Sequence, residues 1–181
     1  MHAALSFDSP YDILERLRVA RRDFHSAVTS TPGTRERVFE APQFLRTLRD
    51  HIERSSVGSP RERASKLFGL TVLLYGALDW HFAGHGVDIE ADVQLERIRQ
   101  NQLHGGADMD DRLSAEAWTE RLRAQLVRLE GHLVSAEDYA LRLIKQTALA
   151  QAALEAICRR TPIDAGGRVA PLRVAALPAV P

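Results

Sequence analysis

The chain has 181 residues, which is enough for one domain with a well-buried core and short for two. Basic and acidic side chains balance at 24 each, so the formal net charge is zero. A neutral chain has no electrostatic basis for binding nucleic acid or an acidic membrane surface, and we expect neither as a partner.

The cysteine content and the first residues bear on the cellular compartment. Cys158 is the one cysteine, which excludes an internal disulfide framework and a cysteine-rich zinc site. Residues 1–10 lack the basic segment followed by an apolar segment that marks a secretory signal. The longest apolar stretch, residues 67–78, is interrupted by Gly69 and Gly76 and is too short to span a bilayer. We therefore predict a cytoplasmic protein.

Proline and glycine divide the chain into four predicted amphipathic helices. Ser59 and Pro60 are typical of a helix start, and a bend is expected at Pro42. Gly84 and Gly86 indicate a kink or a close neighbour within the third helix. In chain order the four helices are predicted over residues 10–30, 34–56, 60–101 and 114–160.

These helices predict an all-α fold, an antiparallel four-helix bundle over residues 9–160. No segment alternates apolar and polar residues over the length that a half-buried strand needs. From residue 161 to 181 the composition changes to alanine, proline, glycine and valine, which predicts a disordered tail. An alternative is that residues 169–177 form a short apolar peptide that docks on a protein partner.

Five histidines on the four predicted helices suggest a metal site. Each lies on or beside an apolar stripe, and a buried neutral imidazole needs a hydrogen-bond partner or a cation. The four-residue spacing of the third and fourth would place both rings on one helical face. The competing interpretation is that each histidine is an ordinary helix-packing residue. These candidate ligands are His25, His51, His81, His85 and His132.

With the helices placed, residues 9–158 resemble a hemerythrin-like domain of the HHE cation-binding family. One histidine each from helices 1, 2 and 4 and a pair from helix 3 follow the order of that family, and Glu137 follows His132 by five residues. The resemblance implies a four-helix bundle that holds non-haem iron, as a pair or a single ion, and binds O2 or NO. It implies a role in oxygen, nitric oxide or redox sensing, or in iron handling.

The chain departs from the family pattern on helix 2. Ser55 stands where family members usually carry a bridging glutamate four residues after the histidine. Asp88 is a candidate replacement, because His81, His85 and Asp88 would share one face if helix 3 continued past Gly86. An incomplete ligand set should weaken the second ion more than the first, so a single iron, or zinc in its place, is an alternative to an iron pair.

Three functional hypotheses follow. The first is an iron protein of hemerythrin type, and the second is a metal-free degenerate bundle that acts as a regulatory or protein-interaction module. The third is an oxidase or peroxidase-like activity at the same metal site. A ferritin-like site is excluded because no histidine has a glutamate three residues before it, and Phe82 after His81 excludes the His-Glu-x-x-His zinc motif.

Overall fold

The computed structural model describes residues 10–30, 33, 38–131 and 135–160, and every regular element within them is a helix. The prediction of an all-α chain is therefore confirmed for these residues. None of the described helices is both long enough and apolar enough to cross a membrane. Seven helices lie wholly within the described residues, namely α1 (Pro10–Thr29), α2 (Ala41–Ser55), α3 (Pro60–His81), α4 (Ile89–His104), α5 (Gly106–Asp110), α6 (Ala115–Glu130) and α7 (Ala136–Arg160).

The predicted long third helix is wrong, because the chain forms two helices there. Gly84 and Gly86 have φ angles of +83° and +66°, a left-handed backbone that a continuous α-helix does not contain. The helix therefore ends at His81, and a new one begins at Ile89 after the Asp88 cap. The two glycines therefore end a helix, where the sequence predicts a kink or a close neighbour. Apart from its chain neighbours, a Cβ atom at either glycine would meet no atom of the described residues within 4 Å.

The predicted second and fourth helices also have corrected bounds. Pro42 lies in the first turn of α2, where its missing N–H costs nothing, so this proline begins a helix and does not bend one. The predicted fourth helix is interrupted at Gly131, which separates α6 from α7. The predicted start of α3 is confirmed, since Ser59 and Glu62 form a reciprocal capping box.

Four helices contact one another in a closed cycle, called here the core ring. α2 packs on α3 and α6, and α7 packs on the same two helices. Helix α1 lies outside the core ring against α3, and α4 lies outside it against α7. The sequence predicts the first helix as a member of the bundle and residues 114–160 as one helix. In the structure those residues form two helices, α6 and α7, which both belong to the core ring, and α1 does not.

Neighbouring helices of the core ring run in opposite directions. The connections after α2 and after α6 are short, which makes each pair a helical hairpin. Ion pairs join Arg49 to Glu130 and Arg123 to Glu53, so residue numbers rise along α2 as they fall along α6. The ring of His81 lies 5.7 Å from that of Tyr139, which places the end of α3 beside the start of α7.

Apolar side chains fill the core ring. α3 is buried without interruption from residue 67 to 78, as expected for the helix that touches α1, α2 and α7. Trp118 at the start of α6 is buried, whereas Trp80 near the end of α3 is partly exposed and stacks on Phe39 at 5.8 Å. Residues 132–134 and the predicted tail, 161–181, lie outside the described residues.

Candidate metal ligands and the groove on α1

His25 lies on the outer face of α1. Its side chain is exposed and lines an open groove on the surface of that helix. Because α1 packs against α3 from outside the core ring, this imidazole does not enter the bundle interior. The structure thus places the first predicted ligand at the surface.

His51 is half-buried on α2 and already has a hydrogen-bond partner. Its Nδ1 lies 2.9 Å from the carbonyl oxygen of Thr47, one turn earlier on the same helix. Its imidazole is therefore satisfied within its own helix.

Ser55 stands on α2 at the position where family members usually carry a bridging glutamate. It is buried and donates its hydroxyl to the carbonyl of Ile52 at 2.7 Å.

The predicted pair of His81 and His85 is separated by the end of α3. His81 is half-buried and packs edge-on against Phe82 at 5.0 Å between ring centroids. His85 is exposed in the connection that follows, so the two imidazoles do not share a helical face. Asp88 is the N-cap of α4, where its Oδ1 accepts the backbone N–H of Ala91 at 3.1 Å.

Glu137 lies in the first turn of α7, close to the end of α3. A hydrogen bond from the Ser135 hydroxyl is the largest cause that lowers the pKa of Glu137, and the side chain of His81 adds an electrostatic contribution. His81 and Glu137 therefore lie at the same end of the core ring, where the rings of His81 and Tyr139 are 5.7 Å apart. His132, five residues before Glu137, lies outside the described residues.

His51 and His81 lie near opposite ends of the core ring. In the α2–α3 hairpin, His51 is level with about residue 64, and about 17 residues of α3 separate that level from His81. At 1.5 Å per residue, this separation is about 25 Å along the bundle axis. Ligands of one ion lie about 2 Å from it, and two bridged ions lie about 4 Å apart. These two histidines therefore do not share a coordination sphere.

Within the described part of the chain, no three side chains of histidine, cysteine, aspartate or glutamate are grouped so that they could hold a metal ion. His25 lies on an outer helix, Asp88 caps α4 and His85 lies in a connection. His51 on α2 and His81 on α3 lie near opposite ends of the core ring. Among the described residues, the predicted ligands are therefore not arranged around one iron pair.

The groove on α1 has a volume of about 680 Å³ and is lined by seven residues of that helix and by Asp79 of α3. Arg21 is fixed by two hydrogen bonds to the Asp79 carboxylate, one of them 2.6 Å long. Arg18 is fixed in the same manner by Glu90 at the start of α4. Arg22 and His25 are exposed beside these pairs. The groove therefore offers hydrogen-bond donors of fixed geometry with nearly balanced charge.

A buried ionic cluster, which the sequence analysis missed, joins α4, α5 and α7. Arg97 donates to Glu155 at 3.0 Å and lies 3.7 Å from Asp110, and all three side chains are at least five-sixths buried. Gln151 and Tyr75 continue the network, since Tyr75 donates to Gln151 at 3.0 Å and Gln151 donates to Glu155 at 2.8 Å. The sequence signal for this cluster is the position of Arg97, which follows Val93 by four residues and Ile89 by eight and so lies on the same buried face of α4.

Comparison with known proteins gives no match among protein-family models, curated proteins or solved structures. The resemblance to hemerythrin-like domains stays a prediction from the residues quoted above.

Proposed function

We propose that this chain is a metal-independent helical bundle that acts as an interaction module. The observation that carries the proposal is the separation of about 25 Å between His51 and His81 along the axis of the core ring. The predicted ligands also have other roles: His51 bonds its own helix, and Asp88 caps α4. These roles account for the residue types without a shared ion.

The contact face that we propose is the groove on α1. Arg21 and Arg18 are held by carboxylates from α3 and α4, so their unused N–H groups keep a fixed direction. Fixed donors lose less side-chain entropy on binding than free ones. Arg22 and His25 provide further donors without a carboxylate bound in the described structure. A polar protein segment that carries both donors and carboxylates complements such a surface.

Metal content separates this proposal from the iron hypothesis. We expect little iron in protein made in iron-supplemented medium, measured by elemental analysis, and no oxo-bridge absorption band under air. His51→Ala and His81→Ala serve as matched variants, because a shared site needs both residues. Stoichiometric iron that is lost in each of the two variants would contradict the proposal.

The role of the groove as a contact face is tested by a substitution at an exposed residue. Arg22→Glu reverses the charge at an exposed position of α1, and Arg46→Glu makes the same change at an exposed position of α2, outside the groove. We expect a partner captured from native cells to be lost with Arg22→Glu and retained with Arg46→Glu. Equal capture by both variants would remove α1 from the proposed contact face.

A second candidate function is a single-ion site of iron or zinc at the end of the core ring. The observation that favours it is that α3 ends beside the start of α7, which places the imidazole of His81 and the carboxylate of Glu137 at the same end of the core ring on different helices. Imidazole and carboxylate ligands suit both metals, and a small ligand such as O2 or NO would take an open position. His132 and His85 are its further candidate ligands from the sequence.

The same metal measurement distinguishes this second candidate. Metal that is lost with His81→Ala and Glu137→Gln, but retained with His51→Ala, supports a single ion at the end of the core ring. Turnover of peroxide or O2 by that loaded protein would then support the oxidase or peroxidase hypothesis. Retention of metal in all three variants would exclude these residues as ligands.

A further inference from the structure

Helix α4 has apolar side chains on two opposite faces. Ile89, Val93 and the stem of Arg97 are buried on the side that packs on α7. On the other side, Leu95 is 63% exposed and Ile98 is 53% exposed. Large apolar side chains that adjoin on one helix face are characteristic of contact surfaces.

The exposed face has the spacing of a two-helix contact. Ala91, Leu95, Ile98 and Gln102 follow one another at intervals of four, three and four residues, which keeps them in one stripe along α4. This is the heptad spacing of helices that pack side by side. The two large apolar residues are central, and the small and polar residues are at the ends, so the stripe suits a short contact with a single helix.

Charges beside the stripe determine the direction of a matching helix. Asp92 and Arg99 lie on the same flank of the stripe, one before the apolar pair and the other after it. A parallel copy of α4 would place this flank against the opposite flank, which carries the uncharged Gln94 and Asn101, so no charge pair would form. In an antiparallel copy, Leu95 lies level with Ile98 of the second copy, and Asp92 lies within one turn of the second copy's Arg99. The face is therefore complementary to itself.

We propose that the outer face of α4 binds the same face of a second copy of this chain, in an antiparallel two-fold contact. The charge complementarity selects a second copy over another occupant, because Asp92 and Arg99 of this one flank meet opposite charges only when the helix is reversed against itself. Arg99 also donates two hydrogen bonds to Glu96 of its own helix, which holds its guanidinium in place on this flank. The contact uses a helix outside the core ring, so it does not depend on the function of the groove or on any metal.

The first test changes the apolar pair and measures the oligomeric state by sedimentation velocity over a dilution series. We expect Leu95→Glu to weaken the dimer at least about 100-fold. Two-fold symmetry puts the substitution into the contact twice, so the contact loses two leucines and gains two charges. Val127→Glu is the matched control, since Val127 is 62% exposed on α6, away from this stripe. It should leave the dimer constant unchanged.

The second test exchanges the flanking charges. Asp92→Arg alone and Arg99→Asp alone should each weaken the dimer roughly tenfold, because like charges then face each other. The double exchange should restore the affinity to within a few fold of the original. This rescue distinguishes a direct contact from a general effect on α4, whose helical content is checked by circular dichroism.

Three outcomes overturn the proposal. The first is a chain that remains monomeric at concentrations up to about 100 µM, where a specific homodimer is populated. The second is a dimer that tolerates both Leu95→Glu and the single charge exchanges. The third is a full-length monomer that dimerises only after removal of residues 161–181, which would identify that segment as the occupant of the α4 face.

Discussion

At the residue scale, the buried cluster of Arg97, Asp110 and Glu155 holds three charges in the interior. Glu155 has the better geometry, because it accepts hydrogen bonds from both Arg97 and Gln151. Asp110 lies farther from the guanidinium, and its Oδ2 is buried without a hydrogen bond. The two carboxylates therefore contribute unequally to the free energy of folding.

We expect Glu155→Gln to lower the free energy of unfolding by about 3 kcal/mol, because it leaves the buried Arg97 without its closest counter-charge. Asp110→Asn should change it by about 1 kcal/mol or less, because no hydrogen bond is lost at Oδ2. Urea denaturation of both variants at neutral pH measures the difference. Equal effects of the two substitutions would contradict the unequal roles assigned to these carboxylates.

Asp110 also makes a pH-dependent contribution to stability. Burial raises the pKa of its carboxyl above 3.8, more than Arg97 lowers it. A carboxyl whose folded-state pKa is raised destabilises the fold while it is ionised, and acidification through that pKa relieves the penalty. We therefore expect any stability advantage of Asp110→Asn over the original protein to be largest at neutral pH and to shrink toward pH 4. A stability difference between the two proteins that widens on acidification would contradict this expectation.

The sequence predicts which histidines lie near the core better than it predicts the distances between them. The apolar stripes predict histidines beside the core, and His51 and His81 are half-buried, whereas His25 and His85 are exposed. Periodicity indicates which face of a helix is buried but not which point of a neighbouring helix lies opposite. The distance between His51 and His81 depends on the packing of α2 against α3, which no local pattern contains.

At the scale of the element, Asp88 serves as a helix cap and not as an extension of a histidine stripe. Its side chain accepts the N–H of Ala91 at 3.1 Å. Asp88→Ala should lower the free energy of unfolding by about 1 kcal/mol, whereas Asp88→Ser should preserve it, because serine caps helices equally well. Thermal unfolding measures both. A serine variant as unstable as the alanine variant would indicate a role other than capping.

Gly76 allows α1 to approach α3 closely. A Cβ atom at this position would lie 2.5 Å from Cε1 of Phe24 and 3.2 Å from Cζ of Phe39. The resulting repulsion exceeds the gain in helix propensity, so Gly76→Ala should destabilise the protein by about 1–2 kcal/mol. The penalty should fall in a Phe24→Leu background, where the aromatic ring edge is removed. An unchanged penalty there would mean that another contact is responsible.

The helices were predicted best where a cap and an apolar stripe agreed. Ser59 and Glu62 mark the start of α3, and the residues from Leu67 to Leu78 form its buried body. The ends of helices were missed where a break depends on backbone conformation. Gly84 and Gly86 are compatible with a kink or a full stop, and only their left-handed conformation distinguishes the two.

At the scale of the whole molecule, the core ring and the outer helices differ in how they are covered. α3 is enclosed by α1, α2 and α7, whereas α1 packs mainly on α3. We expect hydrogen–deuterium exchange of backbone amides to be slowest in α3 and α7 and faster in α1, because fewer buried contacts oppose its local opening. Peptide-level mass spectrometry would show the order. Exchange in α1 as slow as in α3 would mean that the two open only together.

The arrangement of the whole molecule was predicted in part. An all-helical chain follows from the periodicity, and the described residues confirm it. The membership of the core ring did not follow, because it depends on Gly131 dividing one predicted helix into α6 and α7. Once that division is made, two hairpins complete the ring, and α1 is left outside.

The two tryptophans lie near opposite ends of the core ring, in surroundings of different polarity. Trp118 is enclosed near the start of α6, whereas Trp80 is partly open to water and stacked on Phe39 near the end of α3. An indole in an apolar pocket emits at shorter wavelength than a hydrated one, so the intrinsic fluorescence of this protein combines two spectrally distinct reporters. Quenching by a soluble iodide ion would reach one reporter first, which allows ligand-induced changes near the α1 groove to be followed without a label.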